Sequence, residues 1–173
     1  LVTCKAAVSL DGKVAAAACR DLPASQADRI TDSAEHAHQD QNAFTFFADG
    51  VYWASMPEYG ARSSARQSTL LINGCEQSMD LAERRTGGTL SDHKFDNGCA
   101  YVAGEAAGAY PPAAGVKRFR RHLLWIKPDV LIVYDDVVTA KPCPVQWRMH
   151  FDKEAPAEVA ERAIVQRTGG KER

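Results

Sequence analysis

Val116-Lys-Arg-Phe-Arg-Arg-His-Leu-Leu-Trp-Ile126, followed by Lys127-Pro128-Asp129 and Val130-Leu-Ile-Val-Tyr134, is the stretch on which the fold turns. Its first half alternates, with Lys117, Phe119, Arg121, Leu123 and Trp125 on one side and Arg118, Arg120, His122, Leu124 and Ile126 on the other, as a strand between core and solvent must. Lys127-Pro128-Asp129 turns the chain. Val130 to Tyr134 returns as a near-continuous apolar strand, and Asp135-Asp136 ends it. Basic residues fill half of each face of the first strand.

The same grammar recurs outward in both directions. Lys5 to Leu10 and Lys13 to Ala18 flank Asp11-Gly12, Ala43 to Ala48 and Val51 to Ser55 flank Asp49-Gly50, and Thr69 to Ile72 runs into Asn73-Gly74. Each dipeptide suits a two-residue hairpin turn, whose central residues need positive φ. The alanine run Ala15 to Ala18 also suits a helix. Asp21 to Ser33 and Met56 to Arg66 read as loops. Met79 to Gly98 is polar and turn-rich, the mark of a mobile or edge region. Cys99 to Ala103 is a strand, and Ala106 to Gly115 another loop. Val145, Trp147, Met149 and Phe151 alternate with Gln146, Arg148 and His150 as in a half-buried strand. Ala155 to Val165 reads as a short helix or the last strand, and Thr168 to Arg173 as a hairpin turn with no return strand. Strands every eight to fifteen residues, without a long helix, predict an all-β fold, an antiparallel two-sheet β-sandwich in a single domain.

Composition narrows function by exclusion. The 173 residues suffice for one core. Lys and Arg number 21 against 22 acids, and the net charge of -1 points to no nucleic-acid partner. No apolar run reaches membrane-spanning length, and no signal peptide opens the chain. The five cysteines stand far apart without a C-x-x-C, so they read as small buried hydrophobes with at least one free thiol.

Chemistry concentrates at Glu35-His36-Ala37-His38-Gln39-Asp40-Gln41-Asn42-Ala43-Phe44-Thr45-Phe46-Phe47. In an extended backbone His36, His38, Asp40, Asn42, Phe44 and Phe46 would share one face. Polar and aromatic groups seldom share a buried face. A bend near Gln41 to Ala43 is therefore expected, presenting the polar head at a sheet rim and sending the phenylalanines into the core. A His-x-His pair in a loop is more often structural than functional.

The order of motifs, His-x-His-x-Asp-Gln-Asn-Ala-Phe, Asp-Gly-Val-Tyr-Trp-Ala, Leu-Leu-Ile-Asn-Gly-Cys-Glu-Gln, the Val116 to Val137 stretch and Trp-Arg-Met-His, resembles the β-sandwich domain of heparinase II/III-like polysaccharide lyases, the oligoalginate lyases among them. The resemblance covers Glu35 to Phe151. It implies β-elimination on a uronate glycan, an acidic polysaccharide or oligosaccharide as substrate, and a periplasmic or secreted bacterial setting. It also implies an N-terminal helical toroid as partner domain, which this chain does not contain, so the chain alone is expected to be inactive. By resemblance His36 is the catalytic residue, and Asn42, Tyr59, Arg120 and Arg121 are substrate contacts. His38 matches a histidine that ligates structural zinc in several members. The Asp of that site falls here on Ser55 or its neighbour and the later His on Gln67 or Ser68, an incomplete ligand set, so no cofactor is expected and His38 takes a structural role. His150 matches the Trp-x-x-His motif and is also read as structural. His122 is left as a solvent-facing or structural residue, and His93 is given no role. The competing reading is a non-catalytic carbohydrate-binding or purely structural sandwich.

Overall fold

The computed structural model describes residues 6–8, 14–16, 38–48, 51–55, 62–80, 88–128, 130–151, 157–168 and 171–172. They form thirteen strands in chain order: β1 Ala6–Val8, β2 Val14–Ala16, β3 Phe44–Ala48, β4 Val51–Ala54, β5 Leu70–Ile72, β6 Thr89–Phe95, β7 Cys99–Glu105, β8 Val116–Ile126, β9 Val130–Thr139, β10 Val145–Trp147, β11 Ala157–Ala160, β12 Ala163–Thr168 and β13 Lys171–Glu172. Apart from short 3-10 turns the described residues are all β, as the strand spacing predicts.

Two four-stranded sheets, β2-β1-β3-β4 and β6-β7-β8-β9, face each other. Phe44, Phe46, Trp53 and Ala54 of the first meet Ala100, Leu123 and Trp125 of the second in one buried cluster. Burying each large side chain contributes about 1.5–3 kcal/mol, so this interface alone accounts for much of the domain's cohesion. β5 pairs with β10, a pairing that the Arg148 N–H to the Thr69 carbonyl continues, and the first layer reaches them through the Ser55 N–H to the His150 carbonyl. A second cluster of Leu70, Ile72, Tyr110, Val116 and Phe119 fills the space beneath β5. Burial pushes the Tyr110 hydroxyl far above its ordinary pKa, and it donates to the Leu70 carbonyl at 2.7 Å.

The hairpin readings are met where the structure describes them. β3 and β4 pair antiparallel with Ala48 across from Val51, leaving two residues for the turn, and Asn73 and Gly74 carry φ of 56° and 70°, the signature of a type I′ turn. β1 and β2 also pair antiparallel, although Asp11-Gly12 itself lies outside the described residues. β1 runs parallel to β3, a pairing no hairpin signal announces because the partners are far apart in sequence.

β8 shows how pattern and irregularity combine. Phe119, Arg121, Leu123 and Trp125 are buried, while Arg118, Arg120 and Ile126 are exposed. A register shift between Val116 and Arg118 breaks the alternation at its start. Val116 therefore joins the core and Lys117 goes to solvent, which spares the core a lysine. β6 is an edge strand that presents Asp92, His93 and Lys94 to water, charges that discourage edge-to-edge pairing.

Three expectations need correction. The half-buried strand from Val145 to Phe151 ends at Trp147, and its three residues are exposed, with Trp147 resting on Phe44 at 6.4 Å. Ala155 to Val165 is neither a helix nor one strand; β11 and β12 form a hairpin across it. Thr168 does have a return strand, the two-residue β13.

Candidate functional site

The histidine segment bends where its mixed polarity requires. The Ala43 N–H donates to the Asp40 carbonyl at 2.9 Å, closing a turn in which Asn42 takes φ 57°. A left-handed residue at that place is one that asparagine tolerates. After the turn Phe44 and Phe46 enter the core, while His38 and Gln39 before it are partly exposed.

The carboxamides that make this segment look reactive mostly hold it in place. Gln41 and Gln77 bond reciprocally, Gln41 N–H to Gln77 Oε1 and Gln77 Nε2 to the Gln41 carbonyl, each at 2.8 Å. The Gln41 carbonyl also accepts from Thr69 Oγ1 at 3.0 Å, and Gln41 Oε1 accepts from Gly88 N–H at 2.7 Å. The Gln39 side chain donates to the Gln77 carbonyl and accepts from the Ser64 N–H, and its own carbonyl accepts from Ser64 Oγ. Gln41, Gln77, Ser64 and Thr69 are all buried, so each bond replaces water that is no longer there.

Asn42 and Arg121, expected at the substrate, do other work. Asn42 spends both amide protons on the carbonyls of Gly104 and Phe119, at 3.0 and 3.1 Å. Any side chain at Gly104 would collide with Asn42 Oδ1. Arg121 is 2% exposed. Its Nε and Nη2 take the two oxygens of Asp135 at 2.7 Å each, and Nη1 donates to the carbonyls of Asn42 and Ser68 at 2.7 Å. The rings of Phe44 and Phe119 each lie 5.5 Å from its guanidinium. Its bonds make it a structural hub of the domain. Arg120 points the opposite way, because neighbours on a strand alternate, so the two arginines cannot serve one site. His36 and Tyr59 lie outside the described residues.

Two exposed arginines on the loop that bonds this segment were not singled out by the sequence reading. The Gln39 N–H donates to the Arg62 carbonyl at 2.8 Å, and Arg62 is exposed. Arg66 is exposed at the end of the 3-10 turn Ser64–Arg66 that Ser63 caps. The succession of serines and arginines was visible, but only the loop's return to Gln39 gives it meaning.

Ser55, Gln67 and Ser68, the positions matched to absent zinc ligands, line one cavity of about 10 Å³ with Asp40, Ala43, Phe44 and Thr45. That is room for one water at most. The donors there are a carboxylate, three hydroxyls and a carboxamide, with no imidazole or thiolate, and His38 is not in the lining. Such a set does not fit zinc, which prefers nitrogen and sulfur in a closed tetrahedron. His38 Nδ1 is buried with no hydrogen-bond partner among the described residues, so the bond expected of its structural role is not made at that atom.

His150 closes the far side of this region. Its backbone carbonyl holds Ser55 and its N–H donates to Ser68 Oγ at 3.2 Å. Burial holds its imidazole below the ordinary pKa of 6.5, against a bond to the Ala65 backbone that acts to raise it. Nε2 is buried without a partner, so a second ring proton would have no acceptor. The unfolded chain therefore takes up this proton first. His150 contributes fully to stability above about pH 6.5, and the contribution is lost as pH falls below that. Denaturant midpoints should drop between pH 7.5 and pH 5, and His150→Asn should flatten part of the slope; an unchanged slope would show that another group carries it.

The model for the heparinase II/III-like, C-terminal family matches residues 26–172, nearly the whole chain and all of the site just described. The chain belongs to the heparinase II/III-like C-terminal domain family, within which polysaccharide lyases are found.

Proposed function

We propose that this domain is the β-sandwich half of a polysaccharide lyase that cleaves 4-linked uronate glycans by β-elimination. The observation that carries the reading is the clamped turn at Asp40 to Ala43, next to which the Gln39 N–H bonds the carbonyl of the exposed Arg62, with the exposed Arg66 on the same loop. In the reaction the C5–H bond breaks, its electrons form the C4=C5 double bond, the C4–O bond to the departing sugar breaks, and a proton reaches that oxygen. A cation at the C6 carboxylate lowers the barrier by making C5 more acidic. His36 serves proton transfer or carboxylate contact, and Arg62 and Arg66 take the recognition role first sought in Arg121. The remaining acid–base groups belong to the helical domain on the other side of the cleft. The protein would act in the periplasm or outside the cell.

This chain alone should leave alginate and heparin uncut, with flat ultraviolet absorbance where the unsaturated product absorbs, while the full-length protein should give a rising signal. Cleavage by the chain alone would overturn the two-domain assignment, and silence from the full-length protein on every uronate glycan would overturn the reaction.

The reading includes no zinc. Purified chain should contain far less than one zinc per molecule, and chelator should leave its melting temperature unchanged. Stoichiometric zinc by elemental analysis would mean that ligands outside the Ser55–Gln67 cavity hold it.

A further inference from the structure

The outer face of the β6-β7-β8-β9 sheet carries a constellation that neither the core nor the histidine segment uses. Register places Tyr134 of β9 directly across from His122 of β8 and Asp136 across from Arg120, with Tyr101 of β7 one pair along. The Tyr101 hydroxyl lies 2.7 Å from His122 Nδ1, and the two rings stack with centroids 6.0 Å apart at 25°. Tyr134 tilts against the imidazole at 5.6 Å and is 62% exposed, so its ring is open to a ligand. Three rings thus run across three strands of a flat surface.

The polar chemistry of this row is set by its neighbours. In the Nε2–H tautomer the Tyr101 phenol donates to Nδ1 and the ring proton points away from Tyr101. Arg120 lies two residues along the same face of β8, about 7 Å away. The acids beside it are engaged elsewhere. Arg118 holds both oxygens of Asp136, at 2.9 and 2.8 Å, and Glu105 Oε1 accepts from the N–H groups of Ala107 and Phe119. An exposed cation, an aromatic face and a fixed donor therefore stand together.

We propose that this face is a second, non-catalytic binding site for an acidic glycan. A sugar ring stacks on Tyr134, a hydroxyl accepts from His122 Nε2, and a uronate carboxylate pairs with Arg120. The choice of a glycan over an acidic peptide rests on the lyase reading, whereas the location rests on the face itself. Ile126, Val130 and Ile132 beside Tyr134 are also exposed, so a second copy of the chain is the competing occupant.

The test is amide and imidazole NMR mapping of the chain with a mannuronate tetrasaccharide, with mannotetraose as the neutral control and hexaglutamate as the charge control. Signals of Tyr101, His122 and Tyr134 should shift. Tyr134→Ala should weaken binding about tenfold. Arg120→Gln should weaken the uronate about fivefold and leave mannotetraose unchanged, and hexaglutamate should not compete. Both variants alter exposed side chains, and matching melting curves will confirm that they fold. Shifts confined to residues 38–42 and 62–68 would overturn this proposal and leave the lyase reading intact. Unchanged affinity in both variants, or equal binding of hexaglutamate, would overturn it as well, as would self-association abolished by Ile132→Lys in a chain that binds no glycan. Failure to bind any uronate at either place would count against both readings.

Discussion

Arg121→Ala is expected to cost about 3–5 kcal/mol of folding stability, the largest effect of any single substitution considered, because it removes a buried guanidinium and strands a half-buried carboxylate. Asp135 would lose both guanidinium bonds at a site with little exposure, and the carbonyls of Asn42 and Ser68 would each lose a 2.7 Å donor. Phe44 and Phe119 would lose the group packed between them. Arg121→Met keeps most of the volume but not the donors, and should fall only slightly short of alanine. Arg121→Lys restores charge without the planar fork and should recover only part of the loss. The denaturant midpoint is the measurement. A loss below about 1 kcal/mol in Arg121→Ala would mean that water reaches Asp135 and that the hub is not one. Exchange protection at Gln41 and Ala43 should fall together with global stability, since Arg121 ties their turn to the second sheet.

The contrast between Arg120 and Arg121 shows what the sequence could and could not disclose. Strand period, hairpin dipeptides and the bend before Phe44 are local, and local chemistry makes them readable. The family resemblance made both Arg120 and Arg121 substrate contacts, although charge on a strand is usually exposed only where the strand faces solvent. Alternation already put Arg121 on the face with Phe119, Leu123 and Trp125, yet the pairing that allows its burial comes from Asp135, Asn42 and Ser68 on three other segments. Gln77 and Ser64 were silent for the same reason: their partners lie 36 and 25 residues away. The bulge at Lys117 and the parallel pairing of β1 with β3 likewise depend on tertiary context. Arg62 and Arg66 were written in plain sight, but only the backbone bond from Gln39 brings that loop to the histidine segment. Ser55, Gln67 and Ser68, which the family resemblance matched to zinc ligands, meet around one cavity that His38 does not line.

In the full-length protein His36→Ala should lower turnover by roughly two to four orders of magnitude, the range expected when a general acid or base is removed. The proposed reading gives His36 that role, and the described chain from His38 onward is firmly held. Gln39 and Gln41 are tied by seven hydrogen bonds involving side chains to Ser64, Thr69, Gln77 and Gly88, so the chain is held fast from Gln39 onward. Catalytic positioning is sensitive to such support, since a displacement of about 1 Å can cost a hundredfold in rate. His38→Ala separates the roles. Its Nδ1 is buried without a partner, so truncation leaves no orphaned group, and the expected loss is only about 1 kcal/mol of stability with turnover reduced far less than in His36→Ala. His36→Gln offers a further division, because a carboxamide can still donate to the uronate carboxylate but cannot shuttle a proton. Recovery of most activity in His36→Gln would assign the residue to carboxylate neutralisation, and no recovery would assign it to proton transfer. Steady-state rates and denaturant midpoints measured on all three variants decide the matter: near-normal turnover in His36→Ala would remove His36 from the reaction and leave the histidine segment a purely structural rim.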